Sequence, residues 1–213
     1  MSRTWSLYSS RLPNVISTHF MYVMTAVSIA FVVAFFLGIL LSRTPKKGAN
    51  IILTVISVFQ TIPGIVFIGI LFIYNGMVPS TVIFALTIYA IFPILKNTYV
   101  GIISVSEEYK DAAKGCGMST IQILAKVEIP LALPAIINGL RLSTVYTVSW
   151  TVLAAMIGLG GLGELIYTGV NSNNHSLILL GAIPAATMAI TLSMAIDLLR
   201  KALIPKQIRR DIK

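Results

Sequence analysis

The stretch EEYKDAAKGCGMSTIQILAKVEIPLALPAI, Glu107–Ile136, decides how this chain is read. Most of the surrounding sequence is apolar, whereas here acids, lysines, two glycines and two helix-start signals stand together. Ser104-x-x-Glu107 is a capping-box pattern, in which the first side chain satisfies a free backbone N–H and the second reaches back. It predicts a short helix from about Val105 to Lys114. Gly115 and Gly117 end it, because glycine adopts the left-handed conformation at a helix C-terminus without steric cost. Ser119-x-x-Gln122 is a second capping box. It predicts a second short helix to about Glu128, stopped by Pro130. The polar loop, about 104–130, therefore reads as a helix, a glycine hinge and a helix.

Outside this loop charges are scarce. Of 213 residues, 56% are hydrophobic and 11% charged, against about a quarter charged in a soluble domain. No charge occurs from Gly48 to Leu95, and only Glu164 and Asp197 occur from Leu142 to Leu199. A helix crosses a bilayer core with about 20 apolar residues. Spans are predicted at about Phe20–Leu41, Ala49–Tyr74, Ser80–Leu95, Asn138–Leu159 and Ser176–Leu199. The fold class is thus all-α and membrane-embedded, one transmembrane domain over 1–213 with its core at about 20–199. The first apolar run lacks a small-x-small cleavage site and is longer than a signal-peptide core, so it reads as a span.

Basic residues orient the spans. With the N-terminus outside and the C-terminus inside, fourteen of sixteen Lys and Arg fall on the cytoplasmic side: Arg43, Lys46, Lys47, Lys96, Lys110, Lys114, Lys126, Arg141, Arg200, Lys201, Lys206, Arg209, Arg210 and Lys213. Only Arg3 and Arg11 fall outside. The polar loop then faces the cytoplasm. The net charge of +9 reflects this topology and attraction to anionic lipid, and requires no nucleic acid. Cys116 has no disulfide partner. His19 and His175 are far apart in sequence and lack companion metal ligands.

The loop has two readings from its residues. It rests on the membrane as a solvated amphipathic segment, or it docks a partner protein. Ala112 and Ala113 are small enough to allow close backbone approach, while Lys110, Asp111 and Lys114 supply charge. The spacing Asp-Ala-Ala, three residues, Gly, nine residues, Val-x-Ile-Pro resembles the EAA motif of binding-protein-dependent ABC importer permeases. Asp111, Ala112, Ala113, Gly117, Val127, Ile129 and Pro130 occupy the motif positions. Asp111 stands for Glu, Val127 for Ile and Ile129 for Leu. The resemblance implies that the loop couples the permease to a cytoplasmic ATPase.

Three other stretches, QTIPG (Gln60–Gly64), YAIFPILKNTYVGI (Tyr89–Ile102) and VLAAMIGLGGLGELIYTGV (Val152–Val170), resemble permeases for glycine betaine, carnitine and choline. Gly64 replaces the serine, and Lys96 the arginine, usual in that family. The resemblance implies ATPase subunits below, a substrate-binding protein outside, a second permease subunit alongside, and a bacterial cytoplasmic-membrane location. The cargo it implies is a quaternary-amine osmolyte; another small solute such as an amino acid is the alternative. ATP and Mg would reside on the partner ATPase, since this chain has no Gly-Lys dipeptide and hence no P-loop.

Candidate pathway residues lie inside the spans. Gln60, Thr61 and Pro63 put an amide, a hydroxyl and a helix breaker at membrane depth, either to line a wet path or to join helices. Tyr146 and Trp150 are one turn apart, and aromatic faces attract quaternary ammonium groups; packing or an interfacial belt is the other reading. Glu164, just past the fourth span, meets a cationic substrate or a binding protein, or is a solvated helix end. Asp197 precedes Arg200 and Lys201 at helix-pairing distance. Gly158-x-Gly160-x-x-Gly163 follows a span rather than a strand, which excludes a dinucleotide site; these glycines fit close helix packing or an unwound helix end. A membrane enzyme would need ionisable groups or metal ligands clustered at depth, and a tension-gated channel would not need this loop spacing.

Overall fold

The computed structural model describes residues 8–204, and helices account for its regular structure. Arg3, Lys206, Arg209, Arg210 and Lys213, used above in orienting the chain, lie outside the described residues. In chain order the helices are α1 (Leu12–Ser42), α2 (Lys46–Phe59), α3 (Gly64–Asn75), α4 (Pro79–Ile103), α5 (Glu107–Gly115), α6 (Thr120–Ile123), α7 (Ile129–Ala154), α8 (Leu162–Asn171) and α9 (His175–Leu203). Leu124–Glu128 and Ala155–Leu159 are π-helical turns. Four helical stretches are long and apolar enough to cross a bilayer, the third being the continuous run Thr120–Ala154. The α2–α3 pair makes a fifth if it counts as one broken span.

The predicted span at Ala49–Tyr74 is this broken pair, bent by 84°. Pro63 is the cause. It has no N–H to give a preceding turn and disfavours helical backbone just before it. Pro93, Pro134 and Pro184, by contrast, sit within continuous helices. The third and fourth predicted spans were drawn too short. Helix α4 runs on to Ile103, and α7 joins the second loop helix without interruption. The predicted stop at Pro130 is therefore corrected. The π-turn ahead of it makes the Ile129 N–H bond to Leu124 O, one residue further back than in an α-helix. Pro130 then falls in the first turn of α7, where a missing N–H costs little.

Helices α1, α4 and α7 form the centre of the bundle through small residues. Ala26, Ala30, Ala34 and Gly38 recur every fourth position on one face of α1, all buried. A Cβ on Gly38 would stand 2.7 Å from Thr98, one on Gly101 2.9 Å from Ala135, and one on Gly139 2.6 Å from Asn97. Helices approach this closely in lipid because association rests on backbone proximity and dispersion rather than on hydrophobic expulsion from water. Ser143 Oγ donates to Ala90 O across the α7–α4 contact at 2.8 Å.

Helix α8 was absent from the predicted spans. Gly158, Gly160 and Gly161 all have positive φ (96°, 77° and 92°), so the chain turns back after α7. His19 fixes the turn. Its imidazole, fully buried, bonds Val148 O through Nε2 (3.2 Å) and accepts the Leu162 N–H through Nδ1 (3.4 Å). It thereby satisfies a free donor at the start of α8.

Candidate functional site

Gln60, where α2 ends at the α2–α3 break, lines a cavity. Its Nε2 donates to Tyr89 O on α4 (2.9 Å), and the Tyr89 hydroxyl donates to Ile62 O within the break (2.7 Å). These two bonds satisfy polar groups that would otherwise be unpartnered at membrane depth. The Tyr89 and Trp150 rings lie 4.1 Å apart at 31°. Phe67 meets Tyr89 edge-on at 5.5 Å and Phe59 at 5.1 Å. Gly64 begins α3 directly beneath the Trp150 indole, which occupies the space that a Cβ there would need.

Two adjacent cavities share Gln60 and Tyr146. One, of about 220 Å³, is lined by Gln60, Leu86, Tyr89, Tyr146, Thr147 and Trp150. The other, of about 380 Å³, runs past Tyr146 and Gln60 to Lys96 and Asn97. No acidic side chain lines either cavity. Of the predicted pathway residues, Gln60, Tyr146 and Trp150 are brought together here. Pro63 is exposed at the cap of α3, and Thr61 is exposed with its hydroxyl on Val58 O. Glu164 is exposed in the first turn of α8 and lines neither cavity. Sequence reasoning missed Tyr89, whose ring and hydroxyl organise the site. It lies two helical turns before Lys96, a spacing that places both on one face of α4.

The polar loop is close to its predicted form. Ser119 and Gln122 make both bonds of the capping box. Gly117 has φ +77°, and the Met118 N–H bonds back to Ala113 O. The first box is corrected by two residues. Ser106, not Ser104, caps α5, accepting from Glu108 N–H, while Ser104 Oγ donates to Gly101 O at the end of α4. Gly115 is the last residue of α5 rather than its stop. Of the two alanines read as allowing close approach, the structure leaves one at the surface. Ala112 is exposed, but Ala113 is 6% exposed and turned inward against the chain itself. Asp111 pairs with Lys114 at 2.9 Å in solvent and raises the lysine's pKa, chiefly through that hydrogen bond. Val127, Ile129 and Pro130 are half-buried where the loop re-enters the bundle.

Beneath the loop lies a charge cluster the sequence did not announce. Glu128 is 1% exposed. Both its oxygens accept from the Arg43 guanidinium, and Lys110 Nζ stands 3.9 Å away, itself 2.9 Å from Glu107. The cluster joins the end of α1, the loop helix α5 and the π-turn. Farther along α7, Arg141 reaches α9, with Nε 2.7 Å from Ser193 Oγ and 3.5 Å from Asp197. The cross-helix partner of Asp197 was not anticipated.

Residues 30–209 match the family model described as binding-protein-dependent transport system inner membrane component. The chain belongs to this family. The permease is 40% identical over 191 residues to the carnitine transport permease protein OpuCB of Listeria monocytogenes, covering 90% of this chain and 87% of that one. It is 38% identical over 188 residues to the glycine betaine/carnitine/choline transport system permease protein OpuCD of Bacillus subtilis (strain 168), covering 88% and 82%. Its fold matches a chain of the methionine ABC transporter MetNI with a TM-score of 0.82 and 19% identity, over 96% of this chain and 100% of that one. A permease of this family is a transport subunit rather than an enzyme. Its family implies a substrate-binding protein, an ATPase and a second permease as partners. Among the described residues, no group of three or more His, Cys, Asp or Glu is placed to hold a metal.

Proposed function

We propose that this permease forms one half of an importer for a quaternary-amine osmolyte, such as glycine betaine, carnitine or choline, in a bacterial cytoplasmic membrane. The observation that carries the reading is the cavity at the α2–α3 break. It is lined by the aromatic residues Tyr89, Tyr146 and Trp150, by Gln60, and by no carboxylate. A quaternary ammonium group cannot donate a hydrogen bond. Aromatic faces attract it electrostatically and replace its weak hydration. The names of the relatives, at 34–40% identity over most of the chain, favour the same cargo class.

In this reading the whole chain acts as one transmembrane domain with its N-terminus outside and its C-terminus in the cytoplasm. A second permease subunit, identical or homologous, completes the pathway. It covers apolar side chains that α2 and α3 now expose, including Ile51, Val55, Val58 and Ile73. The loop Ser104–Pro130 docks the cytoplasmic ATPase, which holds ATP and Mg, with Asp111, Ala112 and Gly117 toward the partner. Val127, Ile129 and Pro130 carry its movement into α7. Because α7 also bears Tyr146 and Trp150, displacement of the loop alters the cavity. The external binding protein delivers the cargo. The experiment is reconstitution of the permease with its ATPase and binding protein in liposomes. ATP-dependent uptake of radiolabelled carnitine, glycine betaine or choline is expected. Uptake of an amino acid with none of these three would overturn the cargo assignment.

A further inference from the structure

We propose that Glu128 and Arg43 are positioning residues for coupled transport: their ion pair makes the end of α1 follow the polar loop, so that α1 and α7 move as one body when the loop is displaced. The inference rests on the transport reading above and adds how a loop movement reaches a second helix of the bundle. Glu128 closes the π-turn Leu124–Glu128, inside the unbroken helical run Thr120–Ala154 that leads from the loop into α7. A push on α6 therefore moves the Glu128 carboxylate. Arg43 caps the C-terminus of α1. Its Nη1 donates to Glu128 Oε1 at 3.2 Å and its Nη2 to Oε2, a forked contact between the two segments. Such a fork fixes distance and orientation together, whereas apolar contact is non-directional and lets neighbours slide. Both helices end their paths at the smaller cavity. Tyr22 and Ala26 of α1 share one packed cluster with Leu86, with Trp150 of α7 against it. Leu86 and Trp150 line that cavity.

Stability alone does not call for charges at this place. Apolar residues of similar volume often stabilise a buried site as well as an ion pair does, or better. What the pair supplies is a fixed register between segments that are far apart in sequence. The loop helix shares the same carboxylate. Lys110 on α5, the helix that bears Asp111 and Ala112, has its Nζ 3.9 Å from Glu128 and 2.9 Å from Glu107. The end of α1, α5 and the π-turn thus meet in one group of two cations and two carboxylates. Displacing α5 or α6 acts on Glu128 directly, and Arg43 passes that displacement to α1.

The test compares wild type, Arg43→Met/Glu128→Met, Glu128→Gln and Arg43→Lys in liposomes with ATPase and binding protein. It reads ATP hydrolysis together with uptake of carnitine, glycine betaine and choline, beside thermal unfolding of each permease in detergent. The apolar double variant separates a structural role from a coupling role. It removes both charges of the fork and leaves Lys110 on Glu107. It is expected to unfold within a few degrees of the wild type and to keep the ATPase bound, yet to lower uptake per ATP hydrolysed at least fivefold. Arg43→Lys keeps the charge without the fork, and Glu128→Gln keeps the side-chain shape without the charge. Both are expected to give intermediate ratios. Wild-type uptake per ATP in the double variant overturns the assignment. If the double variant does not fold, the same ratio in both single variants overturns it. Loss of uptake and hydrolysis in equal proportion overturns it too, while leaving the transport reading intact. No uptake of any of the three by the wild type instead removes the transport reading beneath it.

Discussion

Glu128 accepts from both ends of the Arg43 guanidinium, 85 positions away in sequence, and in doing so ties the end of α1 to the root of the polar loop. A fully buried carboxylate is costly unless paired and hydrogen-bonded, so each partner depends on the other. Breaking such a pair from one side costs about 3–5 kcal/mol in buried settings. The cost for Arg43→Met is expected at the low end of that range, because Arg43 is 40% exposed and Lys110 remains at 3.9 Å. Thermal unfolding in detergent measures it. The double variant Arg43→Met/Glu128→Gln should recover part of the loss, since it removes the orphaned charge.

The same loop depends on backbone handedness at Gly117. No atom lies within 4 Å of where its Cβ would be, so space is not the constraint. The constraint is φ +77°, where a β-branched residue is strained by about 1–2 kcal/mol. Gly117→Val is expected to lower uptake severalfold without reducing membrane abundance. Gly117→Asn should be milder, because asparagine tolerates this conformation better. Equal uptake by all three proteins would remove the hinge role.

Gly64 departs from the serine usual in the family that the sequence resembles, and the structure supplies a physical reason. The Trp150 indole lies where the Cβ would go. Gly64→Ser must move the ring, and overpacking of this kind typically costs about 1–3 kcal/mol. Altered Trp fluorescence and uptake reduced at least fivefold are expected. Gly69→Ala is the control, since it meets nothing within 4 Å.

Sequence reasoning reached the fold class, the polar loop, its second cap and its hinge because these depend on local rules. Hydrophobic runs, serine–glutamine spacing and glycine handedness act within a few residues. The errors arose where several local signals compete or where a distant contact decides. Pro130 and Pro63 carry the same intrinsic helix-breaking tendency. One is absorbed by a π-turn and the other bends the chain by 84°. Two serines precede Glu107, and only packing at the end of α4 assigns Ser104 to that helix and Ser106 to the next. Helix α8 was hidden by three glycines whose turn His19 completes from 143 positions away. In the site, Trp150, Tyr146 and Gln60 were legible as polar or aromatic groups in oily runs. Tyr89 and Glu128 were not, because their importance comes from partners on other helices.

Orientation is testable by cysteine labelling in a Cys116→Ser background. Met77 lies between α3 and α4, and Asn173 lies between α8 and α9. Both positions, replaced one at a time by cysteine, are expected to label from outside the cell with an impermeant reagent. Labelling of position 77 only from the cytoplasm would make the α2–α3 pair re-entrant rather than spanning. Labelling of position 173 only from the cytoplasm would reverse the assigned topology.

The central claim is that the loop docks the ATPase, and Ala112 gives the most direct measurement. It is exposed on α5, so a larger side chain there leaves the permease's own packing intact, unlike one at the inward-facing Ala113. An aspartate at a tight contact would bury an uncompensated charge, costing several kcal/mol, enough to release a moderately tight partner. The measurement is ATPase co-purification with the Ala112→Asp permease, alongside uptake by the reconstituted complex. The account predicts loss of the bound ATPase and of uptake with normal membrane abundance of the permease. A bound ATPase and undiminished uptake in Ala112→Asp would contradict it.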